Sequence, residues 1–149
     1  MPVFTSSGGR RYDLWQVDGS NDMAWCQSRG FEGLSALVPI RLHVGNNAFG
    51  QRHIDKRHGV WIKGFACPTH EVVWRQLQMK GQVYSDDCES KLKIRWQNPS
   101  DVVMVLKWQA FEGQGYLSVV TFYKRSSKLN DKRLGWYTPV QIDKKKAGQ

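Results

Sequence analysis

The chain predicts an α+β fold, with N-terminal helices packed on a twisted antiparallel sheet of about four to five strands. Three observations carry this expectation. The length of 149 residues suits one compact domain, and 40% hydrophobic content with seven Trp is enough to fill its core. Apolar residues recur at helical spacing between residues 46 and 80. From residue 82 onward the period becomes two, so helices and strands are segregated along the chain.

Residues 1–10 and 143–149 read as mobile tails. Tyr12 to Val17 and Leu34 to Val44 hold short strand-like runs, interrupted by Gly19, Gly30, Gly33 and Gly45, and residues 18–33 show no readable period. Asn46 or Asn47 is the expected cap of a helix through His58, with Gly59 as its stop. Thr69 is the expected cap of a second helix, His70 to Lys80, which Gly81 closes. Val72, Val73, Trp74, Leu77 and Met79 give it an apolar side. In Lys91 to Trp96 bases and hydrophobes alternate, which sends Leu92, Ile94 and Trp96 to the core and Lys91, Lys93 and Arg95 to the other face. Asn98 to Asp101 is a turn, Val102 to Trp108 a buried central strand, and Glu112 to Gly115 another turn. Tyr116 to Lys124 and Gly135 to Ile142 complete the strands. Trp96 and Trp108 belong to the expected core, while Trp61 and Trp136 are candidates for exposure. By simple alternation, Thr121 and Tyr123 share a face with Leu117 and Val119.

The formal charge is +9, and all of the excess lies after residue 50. Residues 1–50 hold four Arg and four acids, whereas the rest holds 18 bases against 9 acids. A concentrated positive field draws phosphate polyanions, and it also suits an acidic protein or an anionic membrane surface. No apolar run approaches the ~20 residues of a spanning helix. Met1 to Arg11 is polar and lacks the apolar centre of a signal peptide. Cys26, Cys67 and Cys88 form no Cys-x-x-Cys pair, so reduced thiols are expected rather than a disulfide scaffold or a zinc knuckle.

The chemistry concentrates in Phe49 to Gly59. On a helix His53 and Arg57 share one face, Arg52 and Lys56 form an adjacent pair, and Phe49 and Ile54 face the core. His58 would sit about 140° around from His53, so both face one site only if the helix ends at His58. Cleaving RNA through its own 2′-hydroxyl needs a base, an acid and cationic donors for the charge building on phosphorus. Histidine suits either proton transfer and arginine suits the phosphate, so no metal or other cofactor is required. The competing reading is a solvated basic helix stripe. On the strand Tyr116 to Arg125, the hydroxyls of Thr121 and Tyr123 suit a phosphate grip, against simple strand propensity.

Arg52-His53-Ile54-x-x-Arg57-His58, followed by a helix with an apolar face, strands, and Val119-Val120-Thr121-Phe122-Tyr123, resembles the barnase–EndoU–colicin–RelE superfamily of small ribonucleases. It is closest to toxin domains of phage-associated and contact-dependent inhibition proteins, and covers about residues 48–125. The resemblance implies that His53 is the main catalytic residue, that Arg57 and His58 assist, and that Thr121 and Tyr123 sit near the scissile phosphate. It implies a nuclease core over residues 46–125, a toxin acting in the cytoplasm after delivery within a secreted or phage-associated protein, and tRNA or other RNA as substrate. An acidic immunity or inhibitor protein is the partner it implies.

Arg52, Lys56, Lys91, Lys93, Arg95, Lys124 and Arg125 are the candidate RNA-binding residues, with Lys128, Lys132 and Arg133 as further bases. Three functions follow. A metal-independent ribonuclease depends on His53. A non-catalytic RNA- or DNA-binding module uses the basic surface without it. A phage or host interaction domain uses the charge against an acidic protein.

Overall fold

The computed structural model describes residues 2–27, 37–86, 90–97, 101–111, 114–125 and 132–139. Four short strands come first: β1 (Phe4–Ser6), β2 (Trp15–Val17), β3 (Ala24–Gln27) and β4 (Leu37–Arg41). Two helices follow, α1 (Gly50–Lys63) and α2 (Thr69–Leu77). The remaining strands are β5 (Gly81–Ser85), β6 (Lys91–Trp96), β7 (Val102–Phe111), β8 (Gln114–Lys124) and β9 (Arg133–Tyr137).

The α+β class holds, but the expected sheet needs correction. Among the described residues seven strands form it, in the order β3-β4-β8-β7-β6-β5-β9, and it is mixed because β4 runs parallel to β8. The helices lie in the middle of the chain, not at its start. The unreadable front third supplies the extra strands. Val38 and Ile40 alternate inward on β4, and Ile40 and Arg41 pair with Leu117 and Ser118. Phe4–Ser6, expected within a tail, pairs with β2 in a separate two-stranded sheet. Residues 140–149 lie outside the described residues, as do 28–36, most of the turn at Asn98–Asp101, the middle of the turn at Glu112–Gly115, and Cys88 and Lys128.

The core lies on one face of the sheet. Leu92, Ile94 and Trp96 fill it from β6, as alternation requires, and meet Met104 and Leu106 of β7 and Leu117, Val119 and Phe122 of β8. Trp108 packs against this cluster and Trp136 is exposed, as expected; Trp61, expected outside, is half-buried against Phe122. From the helices come Ile54 and Ile62 of α1 with Val72, Val73 and Leu77 of α2. Burying a side chain the size of Ile54 contributes about 1.5–3 kcal/mol. The Trp96 indole donates to Met79 O at 2.8 Å, and Tyr137 OH donates to Leu77 O, so the sheet grips the end of α2 through satisfied polar groups.

Both expected helix starts shift. Phe49, in extended conformation, precedes α1 without a side-chain cap, while Asn46 Oδ1 accepts from Ala48 N at 2.8 Å. Pro68 precedes α2, and the Thr69 hydroxyl instead donates to Asp55 on α1, tying the helices together. Gly59 does not stop α1, which runs on to Lys63, and α2 ends at Leu77 rather than Lys80. Gly81 opens β5. Gly45 and Gly50 have φ of +79°, and a Cβ at Gly45 would come within 2.0 Å of Phe49 O. That close approach lets Gln51 N bond His43 O at 3.0 Å and sets the start of α1 against the segment after β4.

Candidate active site

Helix α1 places its histidines through its buried stripe. Ile54, His58 and Ile62 are spaced by four, so His58 falls on the line of the two core isoleucines. There the backbone leaves helical geometry, with φ −128° and ψ 16° at His58. The kink replaces the expected stop and brings both histidines to one place. The His53 and His58 rings are 6.3 Å apart, and the His58 ring lies 5.7 Å from that of Tyr123 on β8. His53 Nδ1 is 2.7 Å from Asn47 O, a carbonyl that only accepts, so Nδ1 carries the proton and Nε2 faces away. Burial lowers the His58 pKa below the ordinary histidine value, and the charges of His53 and Arg57 lower it further. Both effects favour the neutral form of the His58 imidazole. Arg57 is exposed beside it.

Strand β8 does not alternate simply. Its pairing with β7 shifts register between Val105↔Thr121 and Leu106↔Val119, which makes Val120 the extra residue of a bulge. The expected side assignment is corrected in consequence. Thr121 and Tyr123 are Cα partners of Val105 and Val103, and Ser118 and Tyr116 are partners of Lys107 and Gln109. Those four β7 residues share a face, so Thr121 and Tyr123 point the same way as Ser118 and Tyr116, opposite Leu117, Val119 and Phe122. The bulge delivers both hydroxyls to the face that bears Lys91, Lys93 and Arg95. Among the described residues the buried Thr121 hydroxyl has no hydrogen-bond partner.

The candidate cations divide by what holds them. Arg52 Nη2 donates to Gly9 O at 2.7 Å and so ties the N-terminal segment to α1. Lys93 lies 3.6 Å from an Asp86 carboxylate oxygen. Arg95 donates to both oxygens of Asp101, at 2.9 and 2.8 Å, and that pairing holds the Asp101 carboxyl below its usual pKa. Lys56 and Lys124 are exposed. Arg125 is half-buried, and among the described residues its Nε and Nη2 have no partners. Lys132 and Arg133 are exposed, and the Arg133 guanidinium lies 4.5 Å over the Trp136 ring. Lys91 faces a second constellation that the sequence reading missed.

That constellation centres on His43, which is 4% exposed. Its Nδ1 lies 3.0 Å from Tyr12 O and its Nε2 2.9 Å from Tyr116 OH. The carbonyl fixes the proton on Nδ1, so Tyr116 OH donates to Nε2. Burial lowers the His43 pKa and raises that of Tyr116, which keeps both neutral. They wall a cavity of about 770 Å³ on the open face of the sheet. The signal in the sequence was a histidine at the end of a strand, too common to single out.

Among the described residues no cluster of His, Cys, Asp and Glu could hold a metal ion, and no helix is long and apolar enough to cross a membrane. Cys26 and Cys67 are not joined in a disulfide, and burial pushes the Cys26 thiol up to about 11. No family model, curated protein or solved structure matches the chain.

Proposed function

We propose that the protein is a metal-independent endoribonuclease of the barnase–EndoU–colicin–RelE type, a bacterial toxin domain that cleaves tRNA or other RNA. The observation that carries the reading is the assembly of His53, His58 and Tyr123, with ring separations of 6.3 and 5.7 Å. Those residues come from two elements far apart in sequence, and the resemblance named all three. His58, neutral because it is buried beside cationic neighbours, takes the 2′-hydroxyl proton. The 2′-oxygen then bonds to phosphorus as the bond from phosphorus to the 5′-oxygen breaks. His53, its Nε2 directed by the Asn47 carbonyl, gives a proton to the departing 5′-oxygen. The products are a 2′,3′-cyclic phosphate and a 5′-hydroxyl. Arg57 and the Thr121 and Tyr123 hydroxyls stabilise charge on the phosphoryl oxygens. Two imidazoles supply both proton transfers, so the reaction asks nothing of a metal.

Incubation with total RNA in EDTA, followed by end-group analysis, tests the proposal. Cyclic phosphate ends are expected from the intact chain and none from His53→Ala, with circular dichroism showing the variant folded. Intact RNA with the unaltered protein, or equal cleavage by the folded variant, would overturn it. The reading includes cytoplasmic action after delivery from another cell or a phage, and an acidic inhibitor that protects the producer, matched to the +9 charge.

A further inference from the structure

The second constellation shares strand β8 with Tyr123 of the histidine site and lies on the face to which Tyr123 points. Arg41, Ser118, Lys107 and Lys91 are successive Cα partners across β4, β8, β7 and β6. They form one row across the sheet, about 14 Å long at the ~4.8 Å spacing of strands. The row crosses the floor of the cavity and carries three cations, and no carboxylate lines that cavity among the described residues. Lys91 and Lys107 stand directly opposite each other, an arrangement that destabilises a sheet by like-charge repulsion. Among the described residues neither has an ion-pair partner. An anion between them would turn the repulsion into attraction.

The cavity offers more than charge. Tyr12, Phe49 and Tyr116 line it beside the cations, with the Tyr12 and Phe49 rings stacked at 5.7 Å. Arg41 is positioned from two sides, its Nε on Asp22 at 2.7 Å and its guanidinium 4.9 Å over the Tyr116 ring. The His43 bond fixes the Tyr116 hydroxyl proton, which leaves the phenol oxygen to accept from a ligand. Gln109 and the buried Ser118 add polar groups. An aromatic wall beside a cation row matches a base joined to its phosphate better than a bare anion. The volume of about 770 Å³ falls within the range of small-molecule sites.

We propose that this cavity is a nucleotide subsite, which holds one phosphate on Lys91, Lys107 and Arg41 and the adjoining base against Tyr12, Phe49 and Tyr116. Ser118 and Tyr123 are five residues apart on β8, roughly 16 Å at a ~3.3 Å rise per residue. In an RNA strand laid along β8, the subsite would select a nucleotide a short distance from the bond cleaved at His53 and His58. This placement rests on the ribonuclease reading, whereas the nucleotide site itself does not.

The test uses the full chain carrying His53→Ala, so that nothing is turned over. AMP, GMP, CMP and UMP are titrated by calorimetry beside inorganic phosphate and the free nucleosides. At least one nucleotide should bind about tenfold more tightly than phosphate or its own nucleoside, and Lys91→Ala with Lys107→Ala should weaken it by about tenfold or more. The double variant removes a repulsive pair and should stay folded. Equal affinity for phosphate and nucleotide would mean a plain anion site and overturn the proposal, as would undetectable binding or no effect of the double variant. Cleavage of RNA by the unaltered chain is scored separately. Binding without cleavage removes the ribonuclease reading and leaves the subsite; cleavage without binding removes the subsite alone.

Discussion

Replacing Thr121 with Val separates a functional hydroxyl from a structural one. Among the described residues the buried Thr121 Oγ1 atom has no partner, on the strand that carries Tyr123 beside His58. A buried unsatisfied hydroxyl costs about 1–3 kcal/mol. Valine keeps the shape and strand propensity, removes that cost, and sits opposite Val105 as an apolar cross-strand pair. Thr121→Val should therefore raise stability by about 1–2 kcal/mol, and Tm by about 2–4 °C for each kcal/mol in a chain of this size. The same change should cut kcat/KM on RNA by about tenfold or more, because a donor poised for the phosphoryl oxygen is gone. Scanning calorimetry and an initial-rate assay read the two effects. A fall in Tm of the same size would show that the hydroxyl is satisfied and that its burial carries no such cost. A rise in Tm with unchanged cleavage would remove Thr121 from the site.

The other expectations concern charge. The acid limb of the kcat/KM profile should have its midpoint below about 6.5, the ordinary histidine value, because burial and the charges of His53 and Arg57 lower the His58 pKa. Arg57→Gln should move that midpoint upward, and a pH–rate series showing no movement would sink the assignment of His58 as base. The His43 pKa is lowered on folding, so the unfolded chain binds the extra proton. Its contribution to stability is complete above pH 6.5 and is lost as pH falls from there toward the folded value, by at most about 1.4 kcal/mol per pH unit. His58 and His70 are lowered in the same direction. Urea melts at pH 7, 6 and 5 should show falling stability, with a shallower slope in His43→Gln; a flat series would contradict the burial argument. Lys107→Glu should stabilise the sheet by about 0.2–1 kcal/mol through an opposite-charge pair with Lys91 and abolish nucleotide binding. Loss of stability in thermal melts would refute that account of the row.

What the sequence revealed was what repeats along it. The alternation of Lys91 to Trp96 placed every side chain on its observed face. The apolar spacing of Val72, Val73 and Leu77 located α2. The front third was opaque because its strands are three to five residues long, below the length at which a period shows. One local signal there was readable and passed over. Asp18 and Gly19 both take positive φ, at 50° and 81°, between Val17 and Ser20, which exchange two backbone hydrogen bonds as in a tight hairpin turn. At the candidate site the residue types were legible, but their meeting was not. It depends on a helix that bends at His58 instead of stopping. The row of Arg41, Ser118, Lys107 and Lys91 was invisible for a different reason: register across four strands brings it together, and no single stretch contains it.

The bulge at Val120 makes β8 a strand written in two phases. Up to Val119 the odd positions point inward, and from Thr121 on the even ones do. Pairing Val120 into the ladder, with no bulge, would restore strict alternation over the whole length. Phe122 would then be thrust into solvent, and two hydroxyls would be driven into hydrocarbon. The looping out of one amino acid thus decides whether the two ends of this strand can serve one ligand.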